Sequence, residues 1–174
     1  STYAGTGTAG SVNGAATSAT FFKPTSLACD AAGNVFVADF TNNKIRKITP
    51  AGIVSTYAGT GAPGSANGAA AVATFSNPNY IATDASGNVY VAESATSRIR
   101  KITTTGVVST LVLMTNPNGL AFDGVNSLYA STPNTIYKID LTTSVSTLYA
   151  GSNTTGSTDG PAASASFNLI SGLV

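Results

Sequence analysis

Two nearly identical stretches dominate the sequence: PTSLACDAAGNVFVADFTNNKIRKITPAGIVS at 24–55 and PNYIATDASGNVYVAESATSRIRKITTTGVVS at 78–109. The likeness extends beyond them, because 32 of 54 positions are identical when 1–54 is aligned without gaps on 55–108. Self-similarity at a fixed spacing is the signature of repeat architectures. The chain is therefore built from related units rather than from one irregular domain.

Each full unit contains four short strand signals separated by turn residues. β-branched and aromatic residues favour the strands, and Gly, Asn and Pro favour the turns. In the first unit the predicted strands are 25–30, 35–39, 44–49 and 53–58. The same pattern covers 80–112 and, with two turns each one residue shorter, 119–150. Four antiparallel strands in a repeated unit are typical of a β-propeller blade.

Burial explains why the units must stack. The strand segments VFVA at 35–38 and VYVA at 89–92 are apolar on both faces. A lone sheet covers one face, whereas blades stacked in a ring cover both. The predicted fold class is all-β: a β-propeller of four-stranded antiparallel blades, with three full blades and partial blades at both termini. Single helical turns are expected in the Ala-rich runs at 15–21, 69–75 and 162–167.

The repeat divides the chain into six segments. They are an orphan outer strand with a Gly-rich insert (1–21), blade 1 (22–58), a Gly-rich insert (59–75), blade 2 (76–113), blade 3 (114–150), and a Gly-rich insert with the first strand of a next blade (151–174). The orphan strands are predicted at 2–4 and 170–174. Three blades are too few to close a ring. We expect either a region of a longer array, which we favour, or partner chains that complete the ring.

The composition argues against several classes of partner. Only 9% of the residues are charged and the net charge is +1, whereas a nucleic-acid binder carries a basic face. No apolar run reaches the ~18 residues of a membrane helix. Hydroxyls supply the polar surface instead, from 26 Thr and 20 Ser. Together with the sequon that makes Asn153 a glycosylation candidate, this favours an extracellular or cell-surface protein.

The chain lacks the residues of most catalytic sites. It contains no His and one Cys, so it cannot itself form a Ser–His or Cys–His nucleophile or a thiolate cluster. Cys29 is predicted to be a small buried residue on a strand. Asp30, Asp84 and Asp123 recur before the first turn of each unit. They are either a ring of ligands or, as we favour, acceptors for the amides of the turn. No metal or cofactor is predicted.

The residue pattern resembles a known family. The pattern resembles the NHL repeat in three successive blocks. They are Pro-x-x-hydrophobic-Ala-x-Asp-x-x-Gly-Asn-Val-Tyr/Phe-Val-Ala-Asp/Glu, then Lys/Arg-Ile-Arg-Lys-Ile, then Gly-x-Val-Ser-Thr. It runs from Pro24 to Ser55 and from Pro78 to Ser109, with a degraded copy from Pro117. The Gly-rich insert resembles a subtype found in secreted bacterial NHL-repeat proteins. The resemblance implies a ring, most often of six blades, that binds through the face carrying the loops between blades.

Candidate binding residues lie in the loops predicted to share that face. They are Asn13, Asp39, Asn42, Asn43, Asn67, Glu93 and Ser97. Such an uncharged surface, rich in hydroxyls and amides, suits neutral glycans, peptide backbone or another copy of the chain.

Two recurring positions have competing interpretations. Asp39 and Glu93 either line the binding face or, as we favour, pair with Lys44 or Arg98 across the hairpin, with Ser131 at that place in the third unit. The mid-strand residues Arg46 and Arg100, which Tyr137 replaces in the third unit, either contact a phosphate or carboxylate or, as we favour, are side chains laid over a blade edge.

The resulting functional hypothesis is a non-enzymatic extracellular propeller region that acts as a binding or self-assembling scaffold in adhesion, surface or fibre assembly. The expected partners are other copies, the rest of a longer propeller, or neutral glycans and peptides. Neither nucleic acid nor membrane insertion is expected. The alternative is part of a propeller enzyme, of the lactonase or lyase type, whose metal and catalytic residues lie outside this segment. A third hypothesis is a ligand-binding domain attached to a membrane protein.

Overall fold

The computed structural model describes residues 2–174, so Ser1, where the repeat begins, lies outside the described residues. Three antiparallel sheets follow one another, and the four main strands of each sheet lie side by side in chain order. The first sheet, blade 1, contains β2 (Pro24–Cys29), β3 (Val35–Asp39), β4 (Lys44–Ile48) and β5 (Ile53–Ala58), with the two-residue β1 (Gly14–Ala15) paired on β5.

The other two sheets repeat this plan. Blade 2 contains β7 (Tyr80–Thr83), β8 (Val89–Glu93), β9 (Arg98–Ile102) and β10 (Val107–Leu113), with β6 (Gly68–Ala69) on β10. Blade 3 contains β11 (Gly119–Phe122), β12 (Ser127–Ser131), β13 (Ile136–Asp140) and β14 (Ser146–Ala150). The all-β prediction with four-stranded blades is confirmed, and the second and fourth strands of the first unit have the predicted bounds.

A carboxylate closes the hairpin between the first two strands of each blade. Asp30 Oδ1 accepts the backbone N–H groups of Ala32 at 3.0 Å and Asn34 at 2.8 Å. Asp84 and Asp123 accept the corresponding amides in the other blades. These side chains replace water as partners of the turn amides. The turn interpretation of the three aspartates is confirmed.

The connection between the second and third strands is tighter than a plain turn. In blades 1 and 2 it forms a short 3₁₀ helix, Phe40–Asn42 and Ser94–Thr96. Asn43 and Ser97 end these helices with φ of 52° and 53°. This left-handed conformation reverses the chain within one residue, and Asn adopts it more readily than most residues.

Hydrophobic contacts between the sheets form the core. Phe36 of blade 1 packs in one cluster with Ile81 and Val91 of blade 2. Tyr90, on the other face of blade 2, packs in a second cluster with Leu128 of blade 3. The residues of β8 from Val89 to Ala92 are all 0% exposed. Blade stacking therefore covers both faces of blade 2, as predicted.

The open face of blade 1 is the side that carries Leu27, Cys29 and Val35, and no blade of the described chain packs on it. Leu27 is 64% exposed, whereas Ile81 at the same place in blade 2 is 4% exposed. Side chains two apart on a strand share a face, so Cys29 points the same way. The prediction that Cys29 is buried is wrong: Cys29 is exposed, because no blade of residues 2–174 packs on this side.

The segments outside the blades only partly match the sequence prediction. Each Ala-rich run forms a single helical turn, closed for example by the Ala19 N–H to Ala15 O bond of 2.9 Å. The orphan strands predicted at 2–4 and 170–174 are not strands in the structure. A strand requires a paired neighbour, and in the described chain these segments have none; Ile170 N instead donates to Pro133 O at 3.0 Å.

The strand pairing of blade 3 changes which of its residues corresponds to Asp39 of blade 1. Ser131 pairs with Gly119, just as Ala38 pairs with Ser26 in blade 1. Thr132, and not Ser131, therefore occupies the place of Asp39. The expected shorter turn after Asp123 is wrong: Leu128 pairs with Phe122 just as Val35 pairs with Cys29, so this turn has the same length as its counterpart in blade 1. The shortening lies in the next loop, because Ser131 pairs with Ile136 where Ala38 pairs with Ile45. Among residues 2–174, no helix has the length and apolar character needed to cross a membrane.

Candidate functional site

Each of the first two blades holds a Gly-rich segment by a buried arginine. We name these segments the first insert (5–21), the second insert (59–75) and the third insert (151–167). Arg46 is 0% exposed and donates from Nη1 to Thr20 O at 3.0 Å and to Asp39 Oδ2 at 2.9 Å. This arrangement ties the first insert to blade 1.

The second nitrogen of the guanidinium completes the contact. Arg46 Nη2 donates to Val12 O at 3.0 Å and to Asn13 Oδ1 at 2.7 Å. The Phe21 ring lies over the same guanidinium, with its centroid 5.1 Å from Cζ. We call this arrangement the insert clasp. In it, one arginine is surrounded by two insert carbonyls, an amide oxygen, an aromatic ring and a blade carboxylate.

Blade 2 repeats the insert clasp with a longer acid. Arg100 Nη1 donates to Glu93 Oε2 at 2.9 Å and to Thr74 O at 3.0 Å. Its Nη2 donates to Ala66 O at 2.9 Å and to Asn67 Oδ1 at 2.8 Å. The ring of Phe75 again lies 5.1 Å from the guanidinium carbon.

The carboxylates bond to the backbone as well as to the arginines. Asp39 Oδ1 accepts the N–H of Phe22 at 2.8 Å, and Glu93 Oε1 accepts that of Ser76. Burial raises the pKa of the Glu93 carboxyl above its ordinary value, while the Ser76 amide and Arg100 oppose that rise. The acids therefore fix the junction between insert and blade.

These contacts correct two sequence interpretations. Arg46 and Arg100 do not lie over a blade edge, because both are completely buried. Asp39 and Glu93 pair with these arginines and are 0% exposed, so they do not line a surface. Lys44, the partner we favoured for Asp39, instead donates to Ser11 Oγ at 2.9 Å.

The sequence did contain a signal for the insert clasp. The insert, the acid and the arginine occur together in the first two units. All three are missing from the third unit, where Thr132 and Tyr137 occupy the two blade positions. Because the insert, the acid and the arginine are present together and absent together, they form one structural unit, which a comparison of the three repeats indicates.

Two of the predicted amide-bearing loop residues, Asn42 and Asn43, bond to neighbouring segments of the chain. Asn42 Nδ2 donates to Gly10 O at 2.7 Å. Asn43 Oδ1 accepts the N–H of Asn77 at 2.9 Å, and its Nδ2 donates to Gly61 O at 3.3 Å. The backbone carbonyl of Ser97 accepts from Met114 N at 3.0 Å. Hydrogen bonds within the protein therefore occupy many of the polar groups of this predicted binding face.

A cleft lies between blades 2 and 3, where blade 3 has no insert in front of it. Its volume is about 560 Å³. Its lining residues are uncharged: Leu113, Met114, Thr115, Asn116, Thr132, Pro133, Asn134, Thr135, Tyr137, Ser146 and Asn153. We name this space the blade 3 cleft. Tyr137 stands in it at the strand position that carries the clasp arginine in the other blades.

Asn153 lies at the margin of the blade 3 cleft. It is exposed and has a φ of 62°. The third residue of its sequon, Thr155, accepts a hydrogen bond from Asn134 Nδ2 at 3.1 Å. The sequon asparagine therefore lies on accessible surface. In residues 2–174, no three side chains of His, Cys, Asp or Glu lie close enough together to hold a metal ion.

Comparison with known proteins supports the fold. No family profile matches the chain, and no curated protein does. A structural genomics protein of unknown function from Bacteroides thetaiotaomicron is similar, with 18% identity, a TM-score of 0.66, and coverage of 84% of this chain and 40% of that chain.

Two further solved structures have known biological context. A chain of the nidogen/laminin complex matches with 20% identity and a TM-score of 0.61, over 75% of this chain and 49% of that one. A streptogramin B lyase matches with 22% identity and a TM-score of 0.55, over 72% of this chain and 40% of that one. This chain thus spans less than half the length of each. At such identities the likeness shows the fold alone: antiparallel blades of a β-propeller.

Proposed function

We propose that this chain is a region of an extracellular NHL-type β-propeller that acts as a binding scaffold, with the blade 3 cleft as its site for a neutral glycan or peptide. The observation that carries the proposal is a cleft of about 560 Å³ whose lining includes no charged side chain. Ligand sites are commonly 300–1,000 Å³ and combine apolar walls with a few polar groups.

The lining chemistry favours a neutral, hydroxylated or amide-bearing ligand. Asn116 and Asn134 offer both donors and acceptors, and Thr115 adds a hydroxyl. Tyr137 supplies an aromatic ring that can cover an apolar sugar face or a side chain. A charged ligand would lose its hydration in this cleft without gaining an opposite charge.

Further features of this protein support the scaffold part of the proposal. The acidic and basic side chains of the insert clasps pair with each other and hold the inserts on the blades. The NHL-like repeat, the low charge and the exposed Asn153 favour an extracellular setting. The match to a chain of the nidogen/laminin complex adds an example of this fold in a protein complex. The open face of blade 1 favours packing against further blades, from another copy or from the rest of a propeller.

A binding experiment tests the site. ¹⁵N-labelled chain is titrated with chitohexaose, maltohexaose and a neutral octapeptide, and amide shifts are mapped by NMR. We expect saturable shifts at Thr115, Asn134 and their neighbours for at least one probe. Tyr137→Ala should weaken that binding about 10-fold, equivalent to about 1.4 kcal/mol. Tyr149→Ala, on the far side of blade 3, is the matched control. Shifts scattered over the surface, or equal losses in both variants, would refute the cleft as the site.

The second candidate function is a part of a propeller enzyme. It is favoured by the similarity to the streptogramin B lyase and to virginiamycin B lyase from Staphylococcus aureus, one structure of which contains quinupristin. Because the metal and catalytic residues of this alternative would lie outside the segment, the test uses a longer protein that contains it, incubated with quinupristin and a divalent cation, with mass spectrometry of the product. Turnover by that protein would replace the scaffold proposal with an enzymatic one.

A further inference from the structure

The third insert has the same internal geometry as the two inserts that hold arginines. Thr158 N donates to Ser166 Oγ at 2.8 Å, and Ser166 N donates to Thr158 O at 3.0 Å. In the second insert the corresponding bonds join Ala66 and Thr74, at 2.9 and 3.2 Å. The loop is therefore already folded into the shape that binds a guanidinium elsewhere in this chain.

The acceptor groups of the insert clasp are also present. Thr158 O and Ser166 O correspond to the two carbonyls that Arg100 bonds in the second insert, and Phe167 corresponds to the ring over it. Asp159 stands where Asn67 accepts from Arg100 at 2.8 Å. Arg46 and Arg100, the two clasp arginines of the described chain, both bind the inserts that directly precede their own blades.

The underside of the third insert differs from its counterparts in burial. Ala73 and Phe75 are 0% exposed beneath the second insert, because blade 2 lies against them. Their counterparts Ala165 and Phe167 are only partly buried. The same small apolar surface is thus present in the third insert, and no sheet formed by residues 2–174 packs on it.

We infer that the third insert is a preformed receptor for the arginine of a further four-stranded blade, one with an arginine and an acid at the places of Arg100 and Glu93. A blade connected directly after Phe167 fits this receptor. A second copy of the chain does not, since its Arg46 and Arg100 are buried in their own insert clasps and its first insert already covers Val37 and Ile48.

Asp159 strengthens the preference for arginine. The first two inserts present an amide oxygen at this place, whereas the third presents a carboxylate. Hydrogen bonds between guanidinium and carboxylate are charge-assisted and roughly twice as strong as neutral ones. The planar fork of arginine reaches several acceptors at once, which the single ammonium of lysine does not match.

An extended chain tests the inference. Residues 168–174 are replaced by a copy of 76–113, so that blade 2 follows the third insert as it follows the second. The variant carries Arg100→Met in the appended copy only. The readout is hydrogen exchange of the Ser166 and Gly156 amides, which form bonds within the insert. We expect the arginine to raise their protection about 10- to 100-fold over the Met variant.

The controls separate a specific receptor from general packing. Asp159→Ala should lower protection in the arginine chain and leave the Met chain nearly unchanged. Equal protection in the arginine and Met chains would overturn the inference.

If the appended blade fails to fold, the unaltered chain is titrated with N-acetyl-arginine amide and N-acetyl-lysine amide. The expected result is saturable NMR shifts at 158–167 with the arginine probe only; no shifts, or equal shifts, would refute the receptor. An Asp159-dependent dimer of the unaltered chain would also overturn it, by assigning the receptor to a second copy.

Discussion

Arg100 and Glu93 form an ion pair of 2.9 Å in which neither side chain is exposed. The pair of Arg46 and Asp39 has the same length although its acid is one methylene shorter. Both pairs also bond to the preceding insert, so they determine where that insert lies rather than simply adding attraction. Buried pairs are costly to desolvate, and their best-attested contribution is to specify one arrangement.

We predict that Arg100→Met destabilises the chain by about 3–5 kcal/mol, because it leaves the Glu93 carboxylate buried without its partner. The measurement is the free energy of unfolding in urea at pH 7. The double variant Arg100→Met/Glu93→Gln should recover part of the loss, since it removes the uncompensated charge.

Lys101→Met is the matched control for this prediction. Lys101 neighbours Arg100 on the same strand, but its ammonium lies 5.8 Å from the Tyr90 ring centroid and forms no ion pair in the described chain. Its replacement should cost less than about 1 kcal/mol. Similar costs at Arg100 and Lys101 would contradict the clasp as a specific stabilising device.

The sequence predicted the repeating parts of this fold better than the parts that occur once. The strands at 35–39 and 53–58 were predicted with correct bounds, because apolar pattern and turn chemistry agree there. Cys29 was predicted incorrectly because burial depends on the neighbouring blade. Nothing within the Cys29 strand shows whether a sheet will cover it.

The candidate site was less predictable for a related reason. A mid-strand arginine and a strand-end acid looked exposed because charged residues are seldom fully buried. Their burial depends on an insert about 30 residues away, as in the bond between Arg46 and Thr20 O. The blade 3 cleft was not predicted either, since it arises from a missing segment rather than from a motif.

A second prediction concerns the pKa of Asp123. Backbone N–H groups of Ser127 and Val125 bond to its carboxylate and lower its pKa from 3.8 to about 2. A pKa lowered on folding contributes stability that is present above the unfolded value and is lost as the pH falls through the folded value. We therefore expect the contribution of Asp123 to disappear between about pH 4 and pH 2.

NMR titration of the Asp123 carboxyl carbon measures this directly, and urea midpoints from pH 5 to pH 2 measure its consequence. Asp123→Asn should show a shallower loss of stability than the parent over that window. A carboxyl pKa near 3.8 in the folded chain would show that the turn amides do not bond to the charged form.

A third prediction tests the close approach of the second insert to blade 1. Gly59 has a φ of 102°, and a Cβ there would lie 2.8 Å from the carbonyl oxygen of Asn43. Gly59→Ala should therefore suffer both backbone strain and a clash with backbone, at a cost of about 2–4 kcal/mol.

Gly7→Ala separates the two effects. Gly7 also has a positive φ, 82°, but a Cβ there would meet no atom within 4 Å. This variant should lose only about 1 kcal/mol, the strain of the left-handed conformation. Thermal unfolding of both variants provides the comparison. Equal losses would mean that the insert does not pack closely on the loop at Asn43.

The last prediction uses Cys29 to report whether anything covers the open face of blade 1. Cys29 is exposed and shares its face with Leu27, which is 64% exposed. In dilute solution, Cys29 should react with a disulfide reagent within a few-fold of its rate in urea, since folding does not shield it. If copies pack on this face, the reaction should slow as protein concentration rises, and Leu27→Asp should restore the fast rate. Val125→Asp, at an exposed turn of blade 3, is the control and should leave the concentration dependence unchanged. A thiol that is slow at every concentration would contradict the exposed position of Cys29 in blade 1.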